Sequence, residues 1–300
     1  MALYLKGKPS PSQSTPSGPR SGSGSSSRST GTRSSGQWPS GDHDYSFDDD
    51  DGNKEVGFGL ILGDAGSGKT TFITDYMPDP LTLISYDYRA KHAVKRARAA
   101  GRRIGHVNID IPSFKQEKEA IKLAARETVE QTIKNLEWSA RQAQEGKILS
   151  IGLDGGTEFS GLLMTAYHGN LEEVDWNSVF GRDAQYIRRQ WLRVFRILRQ
   201  SQAHVIITIR AKEVWKDNKP SGEFEFEGHK VINEGVDFAA YISTKKGKLG
   251  GLKGNLKVTK GGVNREMQGV SISEAQWDQE GGPFASLCGR MYGVRYEEFT

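Results

Sequence analysis

Short apolar runs alternate with longer amphipathic segments from Val56 onwards, and this alternation predicts an α/β fold built on a parallel sheet. Five apolar runs are the strand candidates: Val56–Leu62, Leu81–Tyr86, Ile104–Ile109, Ile148–Leu153 and Val205–Ile209. Between them, apolar residues recur at steps of three and four, the period of a helix with one buried face. The predicted helices are Thr70–Tyr76, Arg89–Ala100, Lys115–Glu145 and Asp183–Gln200.

The pattern changes after Arg210, where short β-like pieces are separated by glycines and lysines. These pieces are Phe224–Phe226, Phe238–Ser243, Leu256–Thr259 and Gly269–Ile272. Short strands bounded by glycine are typical of hairpins. We therefore expect a C-terminal β-hairpin extension, rich in glycine and lysine over residues 244–300, at the far edge of the sheet.

The first 53 residues have a different composition from the rest of the chain. Positions 9–41 hold 13 Ser, 6 Gly and 5 Pro, and their only large apolar residue is Trp38. Six aspartates follow between Asp42 and Asp51. Such a segment buries too little apolar surface to offset its ordering entropy. The sequence thus predicts a disordered N-terminal tail over 1–53 and one folded domain over 54–300.

Cysteine content, hydropathy and charge exclude several classes of protein. The single cysteine, Cys288, excludes an internal disulfide and a metal site built from several cysteines. The sequence has no apolar run near the ~18 residues that cross a bilayer, and no signal-peptide core. The net charge is a modest +4. We expect a soluble cytoplasmic protein that has no membrane partner.

One glycine-rich motif carries the strongest functional signal. Gly63-Asp64-Ala65-Gly66-Ser67-Gly68-Lys69-Thr70 matches the phosphate-binding pattern G-x-x-x-x-G-K-[ST] in full, between a predicted strand and a predicted helix. Its glycines let successive backbone N–H groups point inwards, and the following helix adds its positive end. Lys69 is expected to reach the β- and γ-phosphates and Thr70 to ligate Mg²⁺, with nucleotide contacts extending to Thr71. The alternative is an ordinary glycine-rich turn.

A second Mg²⁺ ligand is expected at the end of another strand. The apolar run Ile148–Leu153 ends in Asp154, as in a Walker B segment, although Ser150 and Gly152 weaken the run. The alternative is a turn aspartate, because two glycines follow it directly.

No acidic residue follows Asp154 directly, so the base that orients the attacking water must lie elsewhere. The candidates are Asp87, at the end of the strand next to the phosphate-loop element, and Glu158, four residues beyond Asp154. Asp87 is slightly better placed, and either could instead be a capping or surface carboxylate. Arg210 ends the predicted strand Val205–Ile209, where a sensor of the γ-phosphate often sits, and its alternative is a solvent-facing arginine.

The nucleotide is expected to be adenine-based. Guanine readers use Asn-Lys-x-Asp, whereas Asn218-Lys219-Pro220-Ser221 lacks the aspartate. ATP with Mg²⁺ is the resulting expectation.

The order of these features resembles that of phage-encoded RecA-like P-loop ATPases, a group that includes proteins proposed to act in single-strand annealing and recombination. The likeness covers roughly residues 56–245 and rests on the P-loop, Asp154-Gly-Gly-Thr-Glu158-Phe, an aromatic stretch around Trp176, the helix Asp183–Gln200 and His204-Val-Ile-Ile-Thr-Ile-Arg210-Ala-Lys-Glu-Val-Trp215. It implies a RecA-type core, ATP with Mg²⁺, and self-assembly into rings or filaments. Two departures are the tail and Arg210, where many relatives have histidine or another polar residue.

Three basic stretches bear on nucleic-acid binding. Residues 89–103 carry seven Lys or Arg, residues 188–199 carry five Arg, and residues 244–265 carry six Lys and one Arg. The helical arginines favour a solvated face. Lysines on glycine-rich loops suit single-stranded DNA phosphates, with a solubilising loop as the alternative. The candidates are Lys245, Lys246, Lys248, Lys253 and Lys257.

Three functions remain open at this level. The first is a DNA-dependent ATPase of recombination or annealing, which the order of motifs favours. The second is a kinase that transfers the γ-phosphate to a small molecule or nucleotide, with residues 89–103 as a lid over a substrate phosphate. The third is a nucleotide-controlled assembly module with little turnover.

Overall fold

The computed structural model describes residues 55–112, 117–169, 182–216, 219–244, 254–295 and 299. Four earlier predictions therefore lie wholly or largely outside the described residues. They concern the tail over 1–53, the aromatic stretch around Trp176, the guanine-motif comparison at Asn218, and the lysines Lys245, Lys246, Lys248 and Lys253.

Nine strands of the described chain form one sheet. They are β1 (Phe58–Gly63), β2 (Leu81–Ser85), β3 (Ile104–Asn108), β4 (Ser150–Asp154), β5 (His204–Lys216), β6 (Lys219–Phe226), β7 (Phe238–Thr244), β8 (Gly254–Gly261) and β9 (Ser271–Ser273). The helices are α1 (Lys69–Tyr76), α2 (Ala90–Ala99), α3 (Lys118–Gln144), α4 (Gly156–His168), α5 (Arg182–Gln200), α6 (Val231–Gly235), α7 (Glu274–Gln279) and α8 (Pro283–Tyr292).

The strands follow the order β3-β2-β4-β5-β1-β7-β8-β9, with β6 paired to β5 outside this path. In this order, all neighbouring strands from β3 through β2, β4, β5 and β1 to β7 pair in parallel. The pairs β5–β6, β7–β8 and β8–β9 are antiparallel. Strand β5 lies between β1, which leads into the phosphate loop, and β4, which ends in Asp154. The predicted α/β fold with a mainly parallel sheet flanked by helices is confirmed.

Helices cover both faces of this sheet, so its parallel strands are buried on both sides. One apolar cluster joins Leu60 and Leu62 to residues of α3, α4 and α5, including the fully buried Trp191. The other joins Ile61 to residues of α1, α2, α7 and α8. Alternate side chains of β1 thus enter opposite layers, as the two-residue period of a strand requires. This packing fixes the sheet edge from which the phosphate loop leaves.

The structure differs from the sequence predictions in three places. Strand β5 does not end near Arg210 but continues to Lys216, where it forms an antiparallel hairpin with β6. Helix α4 follows Asp154 directly, although its start at Gly156 has the glycine content of a turn. Residues 244–300 contain strands β8 and β9 as expected, but also α7 and α8, whose apolar residues pack under the sheet.

No helix of the described chain combines the length and apolar character that crossing a bilayer requires.

We predict that Gly59→Ala destabilises the protein by about 1–3 kcal/mol, because a Cβ atom there would overlap the buried ring of Phe238 on β7. Gly105→Ala on the edge strand β3 is the matched control, since its new Cβ would lie 3.6 Å from the nearest atom, Thr82 Oγ1. Urea unfolding followed by circular dichroism measures both variants. Equal loss of stability in the two variants would contradict the close approach at Gly59.

Candidate active site

The phosphate loop connects β1 to α1 at the carboxyl end of the parallel strands. Gly68 precedes the first residue of α1 and has φ 91°, a left-handed conformation that side chains rarely adopt. The Phe72 N–H donates to Gly68 O at 2.8 Å, so the helix is regular from its first turn. No acidic residue occupies that turn. The loop therefore presents backbone N–H groups and the positive end of a helix, which together suit an anion.

Lys69 extends along the phosphate loop itself. Its Nζ donates to the carbonyl oxygens of Gly63 at 2.6 Å and Asp64 at 2.7 Å. Burial lowers the pKa of Lys69, and the nearby carboxylates of Asp154, Glu158 and Asp64 oppose that shift. The ammonium group of Lys69 thus lies near three carboxylates and donates to two carbonyl oxygens. An anion bound in the loop would be a further acceptor for it.

Asp154 lies at the end of β4, where two hydroxyl groups donate to its carboxylate. Thr70 Oγ1 donates to Oδ2 at 2.7 Å, and Thr208 Oγ1 donates to Oδ1 at 2.6 Å. The residue is only 6% exposed, and burial raises the pKa of its carboxyl group against the effect of both hydrogen bonds. Thr208 was not predicted as a site residue. A signal existed, because Thr208 lies two positions before Arg210 and so on the same side of β5.

Glu158 occupies the first turn of α4 and forms an ion pair with Arg210. Gly155 permits this geometry: it has φ 116°, and a Cβ there would lie 3.0 Å from both Glu158 Oε2 and the ring of Tyr86. The backbone N–H of Arg210 donates to Thr157 Oγ1 at 2.9 Å. Glu158 and Arg210, two of the residues selected from sequence, therefore meet beside Asp154.

Asp87 lies on the same cleft but in a different environment. Its Oδ1 accepts the Arg89 N–H at 2.8 Å, and its carbonyl oxygen accepts the Ala90 N–H at 2.9 Å. These bonds form the turn that starts α2. In the described chain, no hydrogen bond or ion pair joins Asp87 to Asp154, Glu158 or Lys69. The structure therefore gives Asp87 the capping geometry that was its alternative.

One cleft of ≈ 640 Å³ brings these groups together. Its lining residues come from the phosphate loop, the start of α1, the carboxyl ends of the strands and α2. They include Gly66, Lys69, Thr70, Thr71, Tyr86, Asp87, Arg89, Ala93, Ile111, Asp154, Glu158, Thr208 and Arg210. Among the predicted catalytic and metal-ligating residues, all six line this cleft: Lys69, Thr70, Asp87, Asp154, Glu158 and Arg210.

A neighbouring contact attaches the phosphate loop to the hairpin. Tyr241 on β7 donates its hydroxyl hydrogen to Asp64 Oδ2 at 3.2 Å. The ring of Tyr241 stacks on Phe224 of β6, with centroids 3.9 Å apart and planes inclined by 13°. The first variable position of the phosphate motif thus contacts the β-rich part of the domain.

The donor set at this site suits Mg²⁺ bound together with a nucleotide. A hydroxyl and a carboxylate oxygen 2.7 Å apart are hard ligands at a spacing that one metal ion can bridge. No group of three or more His, Cys, Asp or Glu side chains among the described residues could hold a metal unaided. Mg²⁺ commonly takes one or two protein ligands and completes its shell with water and phosphate oxygens. The residues present fit that mode.

A protein-family comparison decides the class of this domain. The AAA_24 family model, described as an AAA domain, matches residues 58–267. The chain belongs to this family. Its members' AAA-type P-loop domain spans all the site residues named above, from the phosphate loop to Arg210 and Tyr241.

Comparisons with individual proteins add little to the family match. No curated protein matches the sequence significantly. Among solved structures, a KaiC-like protein from the hyperthermophilic archaeon Pyrococcus horikoshii matches with a TM-score of 0.41 and 14% identity, over 70% of this chain and 82% of that chain. At this TM-score the likeness carries no weight for function.

We predict that Asp154→Asn, measured in EDTA without nucleotide, is more stable than wild type at neutral pH. Burial raises the pKa of Asp154, so the folded protein holds its proton more firmly than the unfolded chain. As pH rises from the ordinary pKa of a carboxyl group through the raised pKa of Asp154, the free energy of unfolding of the wild type therefore falls relative to that of the variant. Below both values the carboxyl is neutral in both states and this advantage disappears.

Urea titrations across this pH range measure the difference, with the exposed Asp278→Asn as the control for surface charge. A stability difference that does not change with pH would show that charge burial at Asp154 costs nothing.

Proposed function

We propose that the cleft binds ATP with Mg²⁺ and hydrolyses it. The observation that carries this proposal is the hydrogen bond from Thr70 to Asp154, which joins the last residue of the phosphate motif to the strand-ending carboxylate at 2.7 Å. Together with Lys69 and Glu158 on the same cleft, it supplies the cationic, metal-binding and basic groups that phosphoryl transfer to water needs.

The phosphate loop would bind the polyphosphate through its backbone N–H groups, from Gly63 to Thr71. Lys69 would exchange its two carbonyl partners for β- and γ-phosphate oxygens, which are stronger acceptors because they are charged. Thr70 and Asp154 would hold Mg²⁺, and Thr208 would keep the Asp154 carboxylate in position. Bound Mg²⁺ supplies electrostatic stabilisation of charge on the phosphate oxygens.

Glu158 is the base that this geometry favours. It lines the cleft and is close enough to Lys69 and Asp154 to affect the pKa of both, which supports a role beside the phosphates. Its partner Arg210 is the more exposed of the two and has the charge to bind a γ-phosphate oxygen. Asp87 is engaged by the turn that starts α2, so we assign it no part in proton transfer.

We further infer that this ATPase acts on single-stranded DNA in recombination or annealing, as a ring or filament in the cytoplasm of a phage-infected host. The support is the resemblance to phage RecA-like ATPases and the basic character of residues 89–103. Two helical arginines do not support it, because Arg193 pairs with Glu130 and Glu137, and Arg199 pairs with Asp237. Lys260 donates to the carbonyl oxygens of Asn233 and Val236 and is likewise a structural residue.

Lys69→Ala should reduce ATP turnover by at least about 100-fold, because the loop loses the cation that faces the polyphosphate charge. Steady-state phosphate release measures turnover, and circular dichroism confirms that the variant folds. Lys134→Ala, an exposed lysine on α3, serves as the control and should hydrolyse ATP like wild type. Wild-type turnover in Lys69→Ala would refute the assignment of the whole site.

Glu158→Gln should lower kcat by about 10²–10⁴-fold while ATP affinity stays within a few-fold of wild type, because it removes the base and leaves the phosphate contacts. Asp87→Asn is the matched carboxylate-to-amide control on the same cleft and should keep most of the activity. Single-turnover hydrolysis and binding of a fluorescent ATP analogue separate the two parameters. The reverse result, with Asp87→Asn the slower variant, would move the base to Asp87.

A further inference from the structure

An aromatic side chain lies in solvent at the start of α2. Tyr88 is 66% exposed, although tyrosine usually buries most of its ring. Lys91 places its Nζ 3.3 Å from the centroid of the ring and so covers one of its two faces. The other face is available to a planar ligand.

Cations surround this tyrosine, and few of them are neutralised. Lys91 and Lys95 are four positions apart on α2 and so share one face of the helix, and Lys91 contacts the ring of Tyr88, which lies in the turn before α2. In the described chain, neither lysine forms an ion pair, and neither does Arg89. Residues 88–103 contain no Asp or Glu. The surface therefore combines an exposed aromatic face with uncompensated positive charge.

Three further cations of this segment are engaged within the domain. Arg96 pairs with Asp75 on α1, and Arg102 pairs with Asp79. Arg98 donates to the carbonyl oxygen of Ile104. These contacts attach α2 to α1 and β3, next to the turn that carries Tyr88. Asp87 adjoins Tyr88 in sequence, and its Oδ1 accepts the Arg89 N–H.

We propose that Tyr88, with Arg89, Lys91 and Lys95, binds single-stranded nucleic acid, the ring stacking on a base and the cations contacting phosphates. Stacking on an aromatic ring with nearby cations is how proteins bind single strands without reading sequence, because every base has a flat face. In a duplex the bases are already stacked on one another, so no exposed base face is left for the ring of Tyr88 to stack on. The inference rests on the proposed function for its biological meaning but not for its test.

This surface adjoins the wall of the ATP cleft. Asp87, Arg89, Ala90 and Ala93 line the cleft, while Tyr88 and Lys91 lie on the outer side of the same turn. A strand bound at Tyr88 would therefore reach the helix end that faces the phosphate loop. Nucleic acid bound there would adjoin residues that line the cleft and could influence hydrolysis through them.

A second exposed aromatic residue among the described residues provides an internal comparison. Trp138 on α3 is 49% exposed, and the nearby cation Arg193 is held in ion pairs with Glu137 and Glu130. Its surroundings therefore offer less unpaired positive charge than those of Tyr88. Trp138 and the neighbouring Lys134 are thus matched controls for Tyr88 and Lys95.

The test is the fluorescence anisotropy of a labelled oligo-dT strand with the full chain, without nucleotide, over a series of salt concentrations. Tyr88→Ala should weaken binding roughly tenfold, and Tyr88→Phe should restore it because the ring is kept. Lys95→Ala should flatten the slope of log affinity against log salt by about 0.7, the value for one lost phosphate contact on a single strand. Trp138→Ala and Lys134→Ala should bind like wild type. Binding of a duplex of equal length should not depend on Tyr88.

Several outcomes would overturn the proposal. They are wild-type binding by Tyr88→Ala, an equal loss in the α3 controls, failure of Tyr88→Phe to restore binding, or complete displacement of the strand by AMP, which would indicate a small-molecule site. Basal ATP hydrolysis by the same variants is measured in parallel and should equal that of wild type. Hydrolysis without any strand binding would sink this inference alone, whereas Tyr88-dependent binding without hydrolysis would sink only the proposed ATPase.

Discussion

The arrangement of the site depends on one buried carboxylate. Asp154 would carry its charge at a cost in the interior, and two hydroxyl groups, from Thr70 on α1 and Thr208 on β5, offset that cost. Because the three residues come from three elements, these two bonds set the position of the phosphate loop relative to the sheet. The order in which β5 separates β1 from β4 makes this convergence possible.

Much of the fold could be predicted because most of its strands and helices have a recognisable local pattern of apolar and polar residues. The five predicted parallel strands match β1 to β5 at their starts within two residues, since each is a largely apolar run between polar segments. Helix α4 escaped prediction because its start, Gly155-Gly156, looks like a turn, whereas Gly155 is required by its φ of 116° and Gly156 by its close approach to β5. The extension of β5 beyond Arg210 depends on pairing with β6, of which the sequence predicts only the end, Phe224–Phe226.

The sequence predicts which residues form the site better than it predicts the role of each residue. The phosphate motif has fixed spacing, and Asp154 ends an apolar strand, so both could be selected from the sequence. The sequence places Asp87 slightly ahead of Glu158, although each is a carboxylate shortly after a strand. Their surroundings differ only in three dimensions: Glu158 meets Arg210, while Asp87 accepts a backbone N–H of its own turn. The role of each carboxylate therefore depends on its partners in the folded structure, which the local sequence does not show.

The length of β5 has a mechanical consequence. Beyond Arg210 the strand continues for the six residues Ala211–Lys216, which at ~3.4 Å per residue form an arm of about 20 Å. This arm is braced by the Phe224–Tyr241 stack, since Phe224 pairs with Glu213 near the middle of the arm, and Tyr241 in turn contacts the phosphate loop residue Asp64. A movement of the phosphate loop at Asp64 would therefore reach, through two side-chain contacts, a strand whose end lies about 20 Å from Arg210.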